Sequence, residues 1–389
     1  MMENDFEVIE AQEFDQRLIE MRRHLHQHPE LSDEEFQTTL SIKQWLEKAG
    51  IRVVDYGLET GVIAEVGEAN GDGPVVAVRA DIDALPIHEE TGLEYASLTA
   101  GKMHACGHDF HTSAIIGAAV LLKQREDELK GYVRFIFQPS EENATGARKV
   151  IESGALEGVQ AIFGMHNKPD LPVGTVGVKE GPLMAAADRF IIEVAGVGTH
   201  AAVPDAGIDP IVTAAHIVTA LQAIVSRNVS PLQSAVISVT QIHSGNTWNV
   251  IPEKAIMEGT VRTFDDKVRT QVLERFGQVV DGVAAAYGTT ATLRMIQGPP
   301  PVHNDKQWSE TAIKVAERSG LKVIEPILSS AGEDFSFYQR EVPGVFVFMG
   351  TSGSKEWHHP AFTLDERALS SSARFFAELA AQALNDLNK

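Results

Sequence analysis

Val75-Val76-Ala77-Val78-Arg79-Ala80-Asp81-Ile82-Asp83 is apolar almost without interruption up to Arg79 and then ends in two acidic residues at alternate positions. A run of this kind reads as a strand over 75–82 buried on both faces, as in parallel sheets covered by helices. Asp81 and Asp83 then fall at its carboxyl end, where open α/β sheets place their ligands. A short β-rich run over 61–66 precedes it. A helix over 109–129, a strand over 132–138, a helix over 147–152 and a strand over 161–166 follow. Buried strands alternating with helices predict a layered α/β sheet. Upstream, residues 10–50 are helical in pattern but broken at His28-Pro29-Glu30-Leu31-Ser32, where Pro29 ends one helix and Ser32 is expected to cap the next.

The pattern changes after residue 187. A strand over 188–197, a helix over 210–227, strands over 234–242 and 256–264, a helix over 267–287 and a strand over 289–295 form a β-α-β-β-α-β series, the order of a self-contained ferredoxin-like unit. Gly298-Pro299-Pro300-Pro301 is a stiff connector. Beyond it the α/β pattern resumes, with a helix over 308–320, a strand over 345–349 and a closing helix over 366–387. The expected organisation is a larger α/β domain in two parts, 1–186 and 299–389, flanking an inserted unit over 187–298. No internal repeat or low-complexity tract is present.

Composition fits this picture. The 389 residues exceed the ~250–300 that one hydrophobic core usually serves. With 43% hydrophobic and 22% charged residues, the chain has the profile of a soluble globular enzyme. A formal net charge of -21 argues against nucleic acid as a partner, since no basic cluster exists to displace counterions from a phosphate backbone. Met1-Met2-Glu3-Asn4-Asp5-Phe6 lacks the basic start and apolar run of a secretory signal. No stretch reads as the roughly 20 apolar residues that a membrane helix needs, so no membrane partner is expected. Cys106 is the only cysteine, which excludes an intrachain disulfide and suits a reducing compartment. A cytoplasmic location is expected.

Four segments carry ligand-type residues just beyond a predicted strand or at a helix start: Asp81-Ile82-Asp83, His104 to His111, Glu141-Glu142 and His166. His358-His359-Pro360, past the 345–349 strand, can be brought to the same edge. His104-x-Cys106-x-His108 is too compact to wrap one ion as a zinc finger does. It is better suited to feeding two neighbouring ions, with a Cys106 thiolate able to bridge. Two ions ~3.5–4 Å apart can share one water and clamp the oxygens of a hydrolytic transition state. Glu141 and Glu142, adjacent and outside a helix, point in different directions, so one can ligate while the other stays free as general base. Each piece alone has an ordinary structural explanation; a Glu-Glu pair is usually solvated and a single His usually packs. The combination is what points to a metal site.

Taken together, Arg79-Ala80-Asp81-Ile82-Asp83-Ala84-Leu85-Pro86, Met103-His104-Ala105-Cys106-Gly107-His108-Asp109, Gln138-Pro139-Ser140-Glu141-Glu142 and Gly164-Met165-His166 resemble the successive motifs of the M20 metallopeptidase family. More narrowly they are similar to its amidohydrolase branch, that of the hippurate hydrolases, indole-acetyl-amino-acid hydrolases and N-acetyl-diaminopimelate deacetylases. The likeness runs in order from Arg22-Arg23-His24-Leu25-His26 through Trp248-Asn249-Val250-Ile251-Pro252 to His358-His359-Pro360. It implies a two-domain α/β fold, a zinc-peptidase-like catalytic domain with an inserted lid that is also the usual dimerisation surface, hence a homodimer. It implies Cys106, His108, Glu142, His166 and His359 as ligands of two divalent ions, Glu141 as general base, and Asp83 as the residue that orients a ligand from behind. His104 is left with a supporting role. His200 matches a histidine that steadies the tetrahedral oxyanion; Asn249 and Arg262 match positions that contact the substrate carboxylate or backbone.

Asp81 stands where the dipeptidase and carboxypeptidase branches carry a ligating histidine, and Cys106 where they carry a bridging aspartate. This disfavours a dipeptidase and leaves the metal open among Zn, Mn, Co and Ni. The resemblance implies water attack on the amide of an N-acyl, chiefly N-acetyl, amino acid. The competing readings are a dipeptide-cleaving exopeptidase and a metal-dependent binding module without catalysis.

Overall fold

The computed structural model describes residues 11–67 and 73–389; the reading of residues 1–6 and the expected helix start at residue 10 lie outside them. The chain divides into two compact units, one of Met1–Gly181, His303–Ile327 and Asp334–Lys389, the other of Pro182–Val302 and Leu328–Glu333.

The first unit is built on the stretch that opened the sequence. Val75–Asp81 is a strand buried at every position, paired in parallel with Tyr132–Gln138 on one side and Val159–Lys168 on the other. Gly344–Gly350 lies parallel to the far side of Val159–Lys168. Among the described residues this sheet has eight strands, in the order Arg52–Val54, Val62–Gly67, Tyr132–Gln138, Val75–Asp81, Val159–Lys168, Gly344–Gly350, Thr175–Gly177 and Lys322–Ile324. Val62–Gly67 and Thr175–Gly177 join the central strands antiparallel, to Tyr132–Gln138 and Gly344–Gly350 respectively. The fold is therefore mixed α/β, as expected, with a parallel centre.

Helix His108–Lys123 is buried around nearly its whole circumference, so it reads apolar on all sides rather than amphipathic. It ends at Lys123, before the expected residue 129, and a short turn of 3-10 helix over Glu126–Glu128 follows. The next helix down from the break at Pro29 is Phe36–Lys48. Ser32 does not cap it. The Glu30 carboxylate accepts the Gln37 and Thr38 backbone N–H groups at 3.1 and 2.8 Å, and the Ser32 hydroxyl donates instead to Asp83 at 2.6 Å.

The second unit carries the β-α-β-β-α-β series: Ala186–Ala195, Pro210–Asn228, Ala235–Ser244, Lys254–Thr263, Asp266–Ala286 and Thr290–Ile296. Its strands form an antiparallel sheet in the order Ala235–Ser244, Lys254–Thr263, Ala186–Ala195, Thr290–Ile296. Burial alternates along the two central strands. The buried side, with Phe190, Ile192, Val194, Met257 and Val261, packs with Ile217, Leu221 and Phe276 of the helices. Asp209 and Asp265 cap these helices through their carboxylates. Contrary to the expectation from sequence, Pro210–Asn228 is by length and composition apolar enough to cross a membrane. Its buried face, Thr213, Ala214, Ile217, Leu221 and Ile224, recurs at helical spacing and belongs to this core.

Gly117, in the middle of His108–Lys123, is where neighbouring helices come closest. A Cβ there would lie 2.9 Å from the Ala373 Cβ and 2.9 Å from a Leu18 methyl. Gly117→Val gains little helix propensity and overpacks a rigid contact, so it should cost about 1–3 kcal/mol. A urea midpoint equal to that of the unchanged protein would disprove this packing argument.

Candidate metal centre

The carboxyl ends of the parallel strands supply the site, as their order requires. Val75–Asp81 leads into Asp83, Tyr132–Gln138 into Glu141 and Glu142, and Val159–Lys168 carries His166. The loop before helix His108–Lys123 adds Cys106. Gly107 makes that turn with φ +85°, and a Cβ would strike the Asn167 amide at 2.5 Å, so glycine is required on both grounds.

Donor atoms of Cys106, His108 and His166 gather within 4.8 Å of one another, and so do those of Cys106, Glu142 and His358 and those of His108, Glu141 and Glu142. Cys106 is common to the first two groups. Its Sγ lies 3.4 Å from His166 Nε2. His108 Nε2 lies 3.9 Å from Glu142 Oε1, and neither atom has a hydrogen-bond partner among the described residues although both are buried. Buried polar atoms are rarely left so. With thiol, imidazole and carboxylate donors converging, the residues fit a divalent-cation site.

Of the two late histidines, the structure brings His358, and not His359, to this cluster. His358 Nε2 approaches Glu142 Oε2 at 3.6 Å, and its backbone N–H donates to Ala105 O at 2.9 Å. His359 is exposed, and its Nδ1 accepts the Ala361 N–H at 2.9 Å. Two features separate the neighbours: His358 adopts φ +63°, whereas His359 precedes Pro360 and is confined to extended backbone.

The His108 and His166 imidazoles are each held from behind through Nδ1. His108 Nδ1 donates to the Asp83 carbonyl at 2.9 Å and faces Asp83 Oδ1 at 3.2 Å, which leaves Nε2 for the centre. Asp83 also accepts the Glu142 backbone N–H at 3.0 Å, so one carboxylate sets both. His166 Nδ1 donates to Asn167 O at 2.9 Å. Asp81 and His111 bond to each other at 2.6 Å, with Arg79 on the other Asp81 oxygen at 2.6 Å. The Asn167 backbone N–H donates to the other His111 nitrogen at 2.9 Å, so the pair supports the centre from beside His166.

Burial and then the carboxylates of Glu142, Glu141 and Asp81 push the Cys106 thiol well up. Burial works to depress His108, but Asp81, Asp83 and Glu142 outweigh it and raise it to about 10. Burial raises Glu142 to about 7 against the pull of His108. His166 is held well below its usual value by burial and by His111, so it is neutral. Without a cation the cluster therefore holds protons that a dication would expel.

Beneath the Cys106 loop, Asp109 accepts Arg22 Nε at 3.0 Å and His26 Nδ1 at 2.8 Å. His104 is buried beside this group, with neither ring nitrogen hydrogen-bonded among the described residues. Burial lowers it to about 4, so it is neutral and a packing residue. Glu141 is half-buried, and the Asp334 N–H points to its Oε1 at 3.4 Å.

His200, Asn249 and Arg262 belong to the second unit. His200 is exposed and Asn249 half-buried beside it: Ala201 N–H donates to Asn249 O at 3.0 Å, and His200 pairs with Val250 across a two-residue ladder. Arg262 is half-buried on Lys254–Thr263. Residues missed in the sequence are Asn167 and Trp357, a polar and an aromatic group adjacent to ligand-type histidines.

Two outcomes check this geometry. His358→Ala should remove about one ion's worth of high-affinity binding, whereas His359→Ala should leave binding unchanged. Because the His108 imidazolium and the Cys106 thiol must both lose protons to ligate, and Glu142 is partly protonated at pH 7, binding there should release about two to three protons per centre and tighten as pH rises. Calorimetry in buffers of differing ionisation heat reads this directly, and a buffer-independent heat would contradict it.

Residues 77–382 match peptidase family M20/M25/M40. A protein of Bacillus subtilis (strain 168) named N-acetylcysteine deacetylase is 57% identical over 368 residues, covering 94% of this chain and 97% of its own. An IAA-amino acid hydrolase of Arabidopsis thaliana is 39% identical over 96% of this chain and 88% of its own. Thermostable carboxypeptidase 1 of Saccharolobus solfataricus is 36% identical over 97% and 98%. A Bacillus subtilis crystal structure described as a dinuclear metal-binding peptidase of the M20 family superposes with a TM-score of 0.88 at 53% identity, covering 96% of this chain and 99% of its own. The chain belongs to peptidase family M20/M25/M40 and is a metal-binding hydrolase of its amidohydrolase branch.

Proposed function

We propose that the chain is a dinuclear metal-dependent amidohydrolase that cleaves N-acyl, chiefly N-acetyl, amino acids to a carboxylate and a free amino acid. The observation that carries this reading is the sharing of Cys106 between two groups of converging donor atoms. The names of the 57% and 39% identical relatives, a deacetylase of an N-acetyl amino acid and a hydrolase of amino acid conjugates, agree with it.

Cys106, His108, Glu142, His166 and His358 would hold two divalent ions drawn from Mn, Zn, Co or Ni, which when bound supply a water of lowered pKa and positive charge for the developing oxyanion. Asp83 fixes His108 and Glu142. Glu141 takes the proton of the attacking water and delivers it to the departing amine nitrogen. On the family resemblance, His200 serves the oxyanion, and Asn249 and Arg262 bind the amino acid portion.

We further read 1–186 with 299–389 as the catalytic domain and 187–298 as the lid. The lid is also the surface of a homodimer. Ala235–Ser244 is an edge strand among the described residues, with Val236 and Ile242 exposed on it and Trp248 92% exposed nearby; such edges are usually covered. The lone, buried Cys106 suits the cytoplasm.

Glu141→Gln should lower kcat by about 10²–10⁴-fold with the bound metal unchanged by elemental analysis; full activity in that variant would remove the assigned base. The carboxypeptidase name of one relative keeps a second reading in view. Rates on a panel of N-acetyl amino acids against dipeptides, with Mn, Zn, Co and Ni supplied separately, decide between them. Preference for dipeptides with every metal would overturn the amidohydrolase reading.

A further inference from the structure

Trp357 stands directly before His358, and its indole N–H is the anchor of that loop. Nε1 donates to Asn167 twice over, to the carbonyl at 3.1 Å and to side-chain Oδ1 at 3.2 Å. The ring lies against His166, centroids 4.3 Å apart.

Asn167 is fully buried and bonds to the cysteine loop, the following helix and His166. Its amide Nδ2 donates to Cys106 O at 2.6 Å. Its backbone N–H donates to His111 Nε2 at 2.9 Å, and its carbonyl accepts His166 Nδ1. Trp357 thus joins the late loop to the one residue that already ties together the cysteine loop, the helix and the central strand.

His358 needs such an anchor. It is a non-glycine residue at φ +63°, a left-handed conformation that side chains disfavour, and its side chain is 54% exposed. Packing around the imidazole itself therefore does not fix it.

We infer that Trp357, acting through Asn167, is a positioning residue that sets the reach of His358 toward Cys106 and Glu142, and so the affinity of one ion of the pair. The inference rests on the dinuclear reading above. Supporting groups behind ligands of this kind change metal affinity by about 10–100-fold when removed.

The test uses metal-stripped full-length protein titrated with Zn²⁺ against a chromophoric chelator, with bound ions counted after desalting. The unchanged protein should show two classes of ion, and His358→Ala should lose one of them. Trp357→Phe should keep both, with one class weakened about 10–100-fold and the other unmoved. The melting temperature without metal should stay close to that of the unchanged protein. If the phenylalanine variant folds poorly, benzothienylalanine at 357, which keeps the bicyclic ring and lacks only the N–H donor, should give the same selective loss.

Unaltered affinities in both position-357 variants, alongside a clear loss in His358→Ala, would overturn the role of Trp357 and leave the centre intact. A single class in the unchanged protein, or no effect of His358→Ala, would overturn the dinuclear reading and this inference with it.

Discussion

The parallel pairing of Val75–Asp81 with Tyr132–Gln138 and Val159–Lys168 governs the rest of the molecule. Parallel strands end at the same edge, and neighbours lie about 4.8 Å apart. Asp81 and Asp83, Glu141 and Glu142, and His166 are thereby delivered to one place although they are far apart in the chain. Gly344–Gly350 pairs in parallel with the other side of Val159–Lys168 and sends its following loop, with Trp357 and His358, to that edge. Apolar runs such as Val75 to Val78 enforce this register because a strand buried on both faces has no solvent side to turn toward.

Crowding carboxylates, imidazoles and a thiol into a dry edge carries a cost that packing cannot offset. The protein answers it with fixed partners. Arg79 is fully buried between Asp81 and Asp334, at 2.6 Å from each, and donates to Gln138 at 2.9 Å. Gln138 in turn donates to Asp334 and accepts the Tyr338 hydroxyl. This arrangement sits under both the His111 side of the centre and the backbone N–H that faces Glu141. Buried ion pairs add little net stability, and removing one partner is costly. Their service here is to leave each ligand with one tautomer and one direction.

Much of this was legible in the sequence because periodicity and burial act locally. The buried strand at 75, the β-α-β-β-α-β series and the convergence of acidic and histidine segments at strand ends all follow from side-chain pattern and the geometry of open sheets. What escaped depends on a single dihedral or on a distant partner. His358 and His359 are chemically equal neighbours, and only the left-handed backbone at 358 with the proline after 359 decides which one faces Glu142. Ser32 has the chemistry of a helix cap, yet the Asp83 carboxylate, fifty-one positions on, takes its hydroxyl and Glu30 takes the cap. Asn167 carries no motif at all. Its importance lies in contacts with Cys106, His111 and Trp357 that exist only after folding.

These contacts also decide what organises what. In a small zinc domain the ion holds the ligands together, because there is no other core. Here the ligands hang on strands and a helix whose core includes Val76, Val78, Phe110, Phe135, Phe137 and Phe163, all shielded from solvent. The second ring nitrogens of His108 and His166 are already bonded to Asp83 and to the Asn167 carbonyl. Only a few atoms, His108 Nε2 and Glu142 Oε1 among them, are left facing one another without a partner among the described residues. The sheet, and not the cation, therefore bears the entropy of arranging the centre, so the arrangement exists before any ion arrives. Charge is the part left to the cation: protons on His108 and Cys106 satisfy the carboxylates in its absence, and a dication takes their place. The same edge that stabilises a proton-loaded cluster is thus prepared to stabilise the negative charge that builds on a carbonyl oxygen under attack by water.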